Sequence, residues 1–239
     1  MSNNYFCFKQ FAIVQDNTPM KVGTDGVLLG AWCKCQGARR ILDIGTGTGL
    51  IAIMAAQRTS SAQIDAVEME PSACVDAIEN IGNCPWQDRI ELYNTTIQDF
   101  AADCANCYNL IVSNPPFFSN SLKASDAARS LARHDDSLPV ADLFGCSVKL
   151  LAPGGILSVI IPVGRLDDFR HEASLHSMDI VRQLRVQPNN TLPCHRVLVE
   201  FGIGGGNQAT DEGILVIEHE QGCYSPEYVQ LTHDFYLKF

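Results

Sequence analysis

The tetrapeptide Asn114-Pro115-Pro116-Phe117 is the part of the chain whose residue types and spacing best suit chemistry. It follows an apolar run, residues 109–113, that is typical of a buried parallel strand, and open α/β sheets bind their ligands at the carboxyl ends of such strands. Two consecutive prolines fix the backbone and leave the Asn114 amide oxygen and the Pro115 carbonyl as outward-facing acceptors. Phe117 adds a flat apolar face. The motif predicts a site for a planar substrate with an NH2 group, and a rigid loop around a buried phenylalanine is the structural alternative.

A glycine-rich segment upstream, Gly45-Thr46-Gly47-Thr48-Gly49, joins a buried strand to a helix. Its glycines let a ligand approach the backbone, and the N–H groups at the start of the helix face that ligand. A dinucleotide fingerprint requires Gly-x-Gly-x-x-Gly, whereas the spacing here is Gly-x-Gly-x-Gly, two residues after Asp43. Because a carboxylate repels phosphate and attracts an ammonium group, the segment favours S-adenosylmethionine over NAD.

Two more acidic residues belong to the predicted cofactor site. Glu68 ends the second predicted strand, where a carboxylate can accept both ribose hydroxyls. Asp99 precedes the fourth strand and can accept from the adenine amino group, while Ile97 or Phe100 packs on the adenine ring. The alternatives are a helix-capping role for Asp99 and a solvated Glu68.

The elements that must position these residues follow from the apolar pattern. From about residue 40 onward, short β-branched runs alternate with amphipathic segments, which is typical of βαβ units around a parallel sheet. The predicted strands are 40–44, 63–68, 90–93, 110–113, 156–161, 180–186 and 196–202. The predicted helices are 50–58, 72–83, 140–151 and 166–175. Residues 187–195 are too few for a crossover helix, so the last two strands should pair antiparallel. The sequence thus predicts an α/β fold with a Rossmann-like doubly wound sheet of about seven strands, mostly parallel with an antiparallel end.

Composition bounds the class of protein. With 239 residues, of which 46% are hydrophobic and 18% charged, the chain can bury a full core. We expect one domain over residues 1–239, with a short N-terminal extension, 1–39, packing over the cofactor site. No apolar run is long enough to span a bilayer and no signal peptide is evident, so we expect a soluble cytoplasmic protein. The net charge of −10 argues against sequence-blind nucleic-acid binding but leaves room for a local basic patch.

The ten cysteines are scattered through apolar and helical stretches, which indicates reduced, often buried thiols. Two pairs stand out, Cys33 with Cys35 and Cys104 with Cys107. A zinc site would require both pairs to meet in space, and only the second has the common C-x2-C spacing. We therefore expect no bound metal.

Together, the glycine-rich segment and the Asn114 motif resemble the class I S-adenosylmethionine-dependent methyltransferases, in the branch whose N-P-P-[YF] motif serves methylation of exocyclic or amide nitrogens. Four further segments, 8–11, 20–32, 192–197 and 235–239, resemble the bacterial tRNA1(Val) adenine-37 N6-methyltransferase family nearly end to end. The resemblance implies a Rossmann-like fold, S-adenosylmethionine as cofactor, tRNA as partner and N6 of an adenine as acceptor. It also implies that Lys21, Thr24 and Asp25 form part of the wall around the cofactor. That family usually has tyrosine at the position of Phe117, so this chain loses a hydroxyl and keeps the stacking face.

The predicted mechanism uses fixed acceptors. An adenine amino group is a poor nucleophile because its lone pair is delocalised into the ring, and accepting both its hydrogens at Asn114 Oδ1 and Pro115 O favours a pyramidal nitrogen. Stacking on Phe117 is worth about 1–3 kcal/mol, and no histidine is needed as an obligatory base.

Other functions fit the same motif. A protein glutamine amide and a DNA adenine also present a planar NH2 group, and a noncatalytic S-adenosylmethionine-binding module is the alternative from a different class. The basic N-terminal stretch and the absence of a DNA-reading domain favour structured RNA, with no obligate protein partner evident.

Five cations are candidates for an RNA-binding patch around the Asn114 motif. They are Lys9, Lys21, Arg129, Arg133 and Arg196.

Overall fold

Five parallel strands form the centre of the structure, a computed structural model that describes residues 4–103, 108–116, 138–204 and 209–239. In chain order, the strands are β1 Tyr5–Cys7, β2 Ala12–Val14, β3 Arg40–Ile44, β4 Gln63–Glu68, β5 Ile90–Asn94, β6 Tyr108–Ser113, β7 Leu151–Pro162, β8 Met178–Asn189, β9 Arg196–Ile203, β10 Thr210–Glu220 and β11 Cys223–Tyr224. The helices are α1 Thr24–Trp32, α2 Leu50–Arg58, α3 Pro71–Asn83, α4 Ile97–Asp103, α5 Val140–Leu150, α6 Leu166–Leu175 and α7 Pro226–Thr232.

Within the described residues the main sheet has nine strands, in the order β11-β10-β8-β9-β7-β6-β3-β4-β5. Strands β5, β4, β3, β6 and β7 pair in parallel, and β9 pairs antiparallel with both β7 and β8. This confirms the predicted α/β fold, the mostly parallel sheet and the antiparallel pairing of the last two predicted strands. The antiparallel β9 lies inside the sheet rather than at its end, because β8, β10 and β11 extend the sheet beyond it.

All seven predicted strands are present, and the predicted count fell short because β10 and β11 were missed. Acidic residues lie at both ends of β10 and Gly213 interrupts it, which obscured the apolar run 214–217 that could have revealed the strand. Strand β7 begins at Leu151 rather than at residue 156, and its pairing with β6 is irregular between Tyr108 and Leu110. A separate antiparallel hairpin, β1 with β2, and helices α4 and α7 were also not predicted.

Two apolar layers cover the sheet. One is centred on α1 and α2 and includes Leu28 and Ile53, and the other is centred on α5 and α6. In the second layer, the ring of Phe144 lies edge-on to Phe169 and Phe201, with centroids 6.0 and 5.0 Å away. Because both faces are buried, the central strands are apolar almost throughout, as expected for a parallel sheet. Across the described residues, no helix has both the length and the apolar character needed to cross a membrane.

Arg182 on β8 fastens the antiparallel part of the sheet to α1. Its guanidinium lies 3.7 Å above the Trp32 ring and donates to the Trp32 carbonyl at 2.8 Å. The same group pairs with Glu200 of β9, where Nε is 2.9 Å from Oε2. Burial raises the pKa of Glu200, and the neighbouring Arg182 opposes that rise. A buried carboxylate of this kind depends on its partner, since removing one member of a buried pair leaves the other charge uncompensated.

The predicted extension, residues 1–39, is described from residue 4 and forms β1, β2 and α1. Helix α1 packs against α2 closely enough that a Cβ on Gly30 would lie 2.6 Å from Met54 Sδ. That this extension packs over a bound cofactor, and that residues 1–239 form one domain, stay predictions.

The fold also predicts where a methyl group cannot be added. A Cβ on Gly155 would lie 2.7 Å from the Tyr108 carbonyl oxygen and 2.9 Å from that of Ala152, and neither backbone atom can move without disturbing the β6–β7 pairing. We expect Gly155→Ala to lower the free energy of unfolding by about 1–3 kcal/mol, measured by urea denaturation. In the matched control Gly145→Ala on α5, the new methyl is 3.6 Å from its nearest neighbour, so that variant should gain about 0.5–1 kcal/mol. Equal stability of the two variants would contradict the close approach at Gly155.

Candidate functional site

Three adjacent strands end at one level and create the candidate site. Ile44 of β3 pairs with Val67 of β4 on one side and with Ser113 of β6 on the other. The next residue on each strand therefore lies at the same edge, and these residues are Gly45, Glu68 and Asn114. The buried Ser113 hydroxyl donates to the Ile44 carbonyl at 2.9 Å and holds β6 against β3 at this point. The predicted cofactor segment and the Asn114 motif thus meet at the carboxyl edge of the sheet.

The glycine-rich segment is shaped by left-handed backbone. The φ angles of Gly45, Gly47 and Gly49 are 69°, 56° and 82°, a region that favours glycine. A Cβ on Gly45 or Gly47 would meet no heavy atom within 4 Å, whereas one on Gly49 would lie 3.4 Å from Ile81 of α3. The first two glycines therefore expose backbone to open space that a ligand can fill, and the third allows close packing on α3.

Asp43 lies beneath this segment and is fully buried. Its Oδ2 accepts from the Thr46 hydroxyl at 2.6 Å and from the Ala52 backbone N–H at 3.1 Å, so it ties the segment to the first turn of α2. Among the described residues, Oδ1 has no hydrogen-bond partner. Burial raises the pKa of Asp43 to about 7, against the lowering effect of the Thr46 and Ala52 bonds and with a further rise from the nearby charge of Glu68. Attraction of an ammonium group to this carboxylate stays a prediction.

Glu68 is buried as well, and both its oxygens are engaged. Oε2 accepts from the Gly47 N–H at 2.8 Å, and Oε1 accepts from the Glu70 N–H at 2.9 Å. The side chain therefore bridges the end of β4 and the glycine-rich segment instead of being solvated. Each carboxylate oxygen can accept a second hydrogen bond, so the predicted contact with ribose hydroxyls is compatible with this geometry and stays a prediction.

Ile97 and Asp99 begin α4. The Asp99 N–H donates to the Thr96 hydroxyl at 3.1 Å, and that hydroxyl donates to Asp99 Oδ2 at 2.8 Å, so Thr96 caps α4 and the Asp99 carboxylate orients the capping hydroxyl. Ile97 is 5% exposed and packs with Ile44 and Val67 in the core. Contacts of Asp99 and Ile97 with an adenine ring stay predictions.

Asn114 is half-buried, and its side chain makes no hydrogen bond within the part of the chain that the structure describes. Pro115 is buried and Pro116 half-buried beside it. Phe117 lies outside the described residues, so its stacking role is untested. The site thus presents an uncommitted amide at the sheet edge, next to the opening above Gly45.

Three residues that the resemblance assigns to the cofactor wall lie in the turn before α1 and in the first turn of that helix. Lys21 is exposed and its ammonium donates to the Asn4 side chain at 3.1 Å, and Thr24 is exposed at the first helical position. Asp25 accepts from Arg196 Nε at 2.7 Å, an ion pair that joins α1 to the start of β9. Roles of these residues in holding a cofactor stay predictions.

Lys9, a candidate for the predicted RNA-binding patch, is bonded to the C-terminal part of the chain. Its ammonium donates to the His233 carbonyl at 2.5 Å, and the adjacent Asp234 carbonyl accepts from Gln57 in the last turn of α2. The glycine-rich segment lies at the first turn of that helix, and membership of Lys9 in the patch stays a prediction. Arg196 is already paired with Asp25.

The remaining patch candidates Arg129 and Arg133 lie outside the described residues.

Cys33 and Cys35 are buried free thiols, and Cys104 and Cys107 fall outside the described residues. The described part of the chain holds no group of three or more metal-binding side chains.

Sequence reasoning missed two side chains that shape the site. The glycine spacing identifies Thr46 only as part of the glycine-rich segment, although a hydroxyl three residues after Asp43 is a signal for a local hydrogen bond. The apolar pattern identifies Ser113 only as the end of a strand, and its bond to the Ile44 carbonyl has no local signal because the partners are 69 residues apart.

Comparisons with known proteins find similarity to methyltransferases. Residues 22–162 match the family model described as the methyltransferase small domain. The chain is 46% identical to the tRNA1(Val) (adenine(37)-N6)-methyltransferase of Trichodesmium erythraeum and 43% identical to the enzyme of that name from Parabacteroides distasonis, with 100% of each chain covered in both cases. Among solved structures, it is similar to a predicted O-methyltransferase from Agrobacterium tumefaciens, with a TM-score of 0.69 and 17% identity over 88% of this chain and 96% of the other. At that identity, the similarity shows the fold.

The buried Asp43 predicts a pH dependence of stability. Its pKa rises from 3.8 to about 7 on burial, so the unfolded chain ionises first. The stability associated with protonated Asp43 is complete below about pH 4 and is lost as the pH rises through about 7. Asparagine cannot ionise, so the unfolding free energy of Asp43→Asn relative to the parent should rise between pH 4 and pH 7 and then level off. Urea unfolding at several pH values measures this, with exposed Asp99→Asn as the control. A difference that is flat with pH would contradict the buried, proton-binding carboxyl.

Proposed function

Because this chain belongs to the methyltransferase small domain family, and within it to the family of the tRNA1(Val) (adenine(37)-N6)-methyltransferases, we propose that it transfers a methyl group from S-adenosylmethionine to the exocyclic N6 of an adenine in tRNA. The observation that carries the proposal is the strand register, which places the uncommitted Asn114 amide beside the glycine-rich segment. The relatives' names point to adenine 37 of tRNA1(Val) as the target. A tRNA substrate places the activity in the cytoplasm.

The residues around the opening fit S-adenosylmethionine. Open space above Gly45 and Gly47 lets a ligand lie against the backbone, and the unpaired Asp43 Oδ1 favours a donor, as the ammonium group of this cofactor is. Glu68 can accept from ribose hydroxyls with its remaining lone pairs. When bound, the cofactor supplies an electrophilic methyl group on a sulfonium.

Asn114 and Pro115 would prepare the acceptor nitrogen. The Asn114 Oδ1 and the Pro115 carbonyl would accept hydrogen bonds from the two amino N–H groups. These bonds would draw the nitrogen lone pair out of conjugation with the ring and direct it at the methyl group. The proline at 116 fixes the backbone on which both acceptors stand. In this proposal Phe117 stacks on the base, and the side chains need only hold the NH2 group until its proton is lost to solvent.

An assay with separated acceptors tests the function. Purified protein is incubated with labelled S-adenosylmethionine and with tRNA, protein or DNA fractions, and the modified nucleoside or residue is identified. We expect label in tRNA as N6-methyladenosine. Label in a protein glutamine or in DNA would overturn the tRNA assignment, and binding of the cofactor without transfer to any fraction would indicate a noncatalytic module.

Removal of the Asn114 amide should slow the chemical step. We expect Asn114→Ala to raise the barrier by about 2–4 kcal/mol, as loss of one preorganised polar contact does, which is roughly a 30- to 1,000-fold drop in kcat. Cofactor affinity, measured by calorimetry with S-adenosylhomocysteine, should stay close to the parental value. The control is Asn83→Ala, an exposed asparagine in the last turn of α3. Parental turnover in Asn114→Ala would rule out the acceptor mechanism.

Loss of the Glu68 carboxylate should affect binding of the cofactor and not binding of the acceptor. Because its carboxylate both shapes the glycine-rich segment and faces the opening, Glu68→Ala should weaken S-adenosylhomocysteine binding about tenfold or more, whereas the exposed neighbour Glu70→Ala should change it far less. The parent should show no saturable NAD binding in the same calorimeter. Saturable NAD binding without a response to S-adenosylhomocysteine would reverse the cofactor assignment.

A further inference from the structure

Asn80, in the third turn of α3, joins two separate parts of the chain. Its Oδ1 accepts from the Val14 N–H at 2.7 Å, and its Nδ2 donates to the Val14 carbonyl at 2.8 Å. The same Nδ2 donates to the Thr48 carbonyl at 2.9 Å. Asn80 is 1% exposed, so no solvent competes for these bonds. One amide therefore holds both the end of β2 and the glycine-rich segment.

Asp76 lies one turn earlier on the same face of α3 and is equally buried. Its Oδ2 accepts from the backbone N–H groups of Asn17 and Thr18 at 2.9 and 2.7 Å, and its Oδ1 accepts from the Asn17 side chain at 2.8 Å. This carboxylate is satisfied by three donors from one short stretch of the N-terminal segment. Together, Asp76 and Asn80 fix residues 14–18 along α3.

The anchored stretch leads to the start of α1. Gln15 is buried, and its Oε1 accepts from the Val22 N–H at 2.7 Å, which closes residues 15–22 into a loop. Helix α1 then begins at Thr24, and a Cβ on Gly26 would lie 3.2 Å from Leu50, the first residue of α2. The start of α1 is therefore held against the helix that follows the glycine-rich segment.

We infer that Asp76 and Asn80 are positioning residues that couple the N-terminal segment to the cofactor segment, so that cofactor binding and ordering of residues 14–24 stabilise each other. The inference rests on the proposed function, since it assigns these residues to the same cofactor site. Its physical basis is that one buried amide serves both partners. A change in the position of Thr48 on cofactor binding shifts the group that holds Val14, and coupling between binding equilibria is reciprocal.

Hydrogen exchange on the parental protein is the first test. The backbone amides of Val14, Asn17 and Thr18 are the ones bonded to Asn80 and Asp76, and they should exchange more slowly when S-adenosylhomocysteine is bound. Amides in β8, away from the site, serve as the reference and should not change. If S-adenosylhomocysteine does not bind the parent, the proposed function fails. If it binds and the exchange of these three amides is unaltered, only the present inference fails.

Two variants give the second test. In Asn80→Ala, the KM for S-adenosylmethionine and the Kd for S-adenosylhomocysteine should rise together, within the roughly 5- to 150-fold range of coupled sites, while kcat at saturating cofactor and the KM for tRNA stay at parental values. Asp76→Asn is a milder change. It should raise the KM for S-adenosylmethionine and the Kd for S-adenosylhomocysteine to a smaller extent, again with parental kcat and tRNA KM. Exposed residues of the same helix supply the controls, Asn83→Ala and Glu79→Gln.

A merely structural role would produce a different result. If Asn80 and Asp76 only stabilised the fold, the variants would lose active protein and melting temperature, and the properly folded fraction would keep the parental cofactor KM. That outcome, or a fall in kcat with unchanged cofactor KM, would overturn the inference. If neither variant folds, the exchange measurement on the parent still decides it.

Discussion

The site depends on a buried carboxylate that serves two donors with one oxygen. Asp43 Oδ2 accepts from Thr46 and from Ala52, and these bonds fix the path of the glycine-rich segment and the first turn of α2 with respect to β3. Burying a carboxylate is unfavourable unless hydrogen bonds replace water, which is why the pKa of Asp43 rises even with two donors present. The left-handed glycines can follow this path because they carry no side chain. The opening above Gly45, the direction of the α2 amides and the bond from Glu68 to Gly47 are all set by it.

The backbone that positions Asn114 is separate from the glycine-rich segment, and the two meet where β6 pairs with β3. The position of Asn114 is set by β6 and by the two prolines that follow it, and neither of these depends on the glycine-rich segment. The hydroxyl of Ser113 links the two by bonding the Ile44 carbonyl across the strands. A small polar residue at the end of an apolar strand thus adds a side-chain bond to the backbone pairing of β3 and β6 where the two sides of the site meet.

The order of the elements was predictable from the sequence, and the direction of the side chains was not. Continuous β-branched runs and the glycine spacing identify the parallel strands and the edge at which ligands bind, because both patterns are local. Asp43 was identified as part of the site, but no pattern in the sequence indicates that its Oδ1 is buried and has no hydrogen-bond partner among the described residues. The pairing of Asp25 with Arg196 and the bond from Lys9 to the His233 carbonyl join residues more than 170 positions apart, and no local pattern encodes them. For Phe117, Arg129 and Arg133, the described residues give no test.

The two strands that sequence reasoning missed have a consequence for self-association. An edge strand offers unpaired N–H and carbonyl groups to any neighbouring chain, and long apolar edges are where aggregation starts. At one edge of the main sheet the outermost strand, β11, has only two residues, and the acidic β10 separates it from the twelve-residue β8. Without residues 210–239, β8 would become a long open edge ready to pair with a second copy. The C-terminal part of the chain therefore covers what would otherwise be a twelve-residue edge of the sheet.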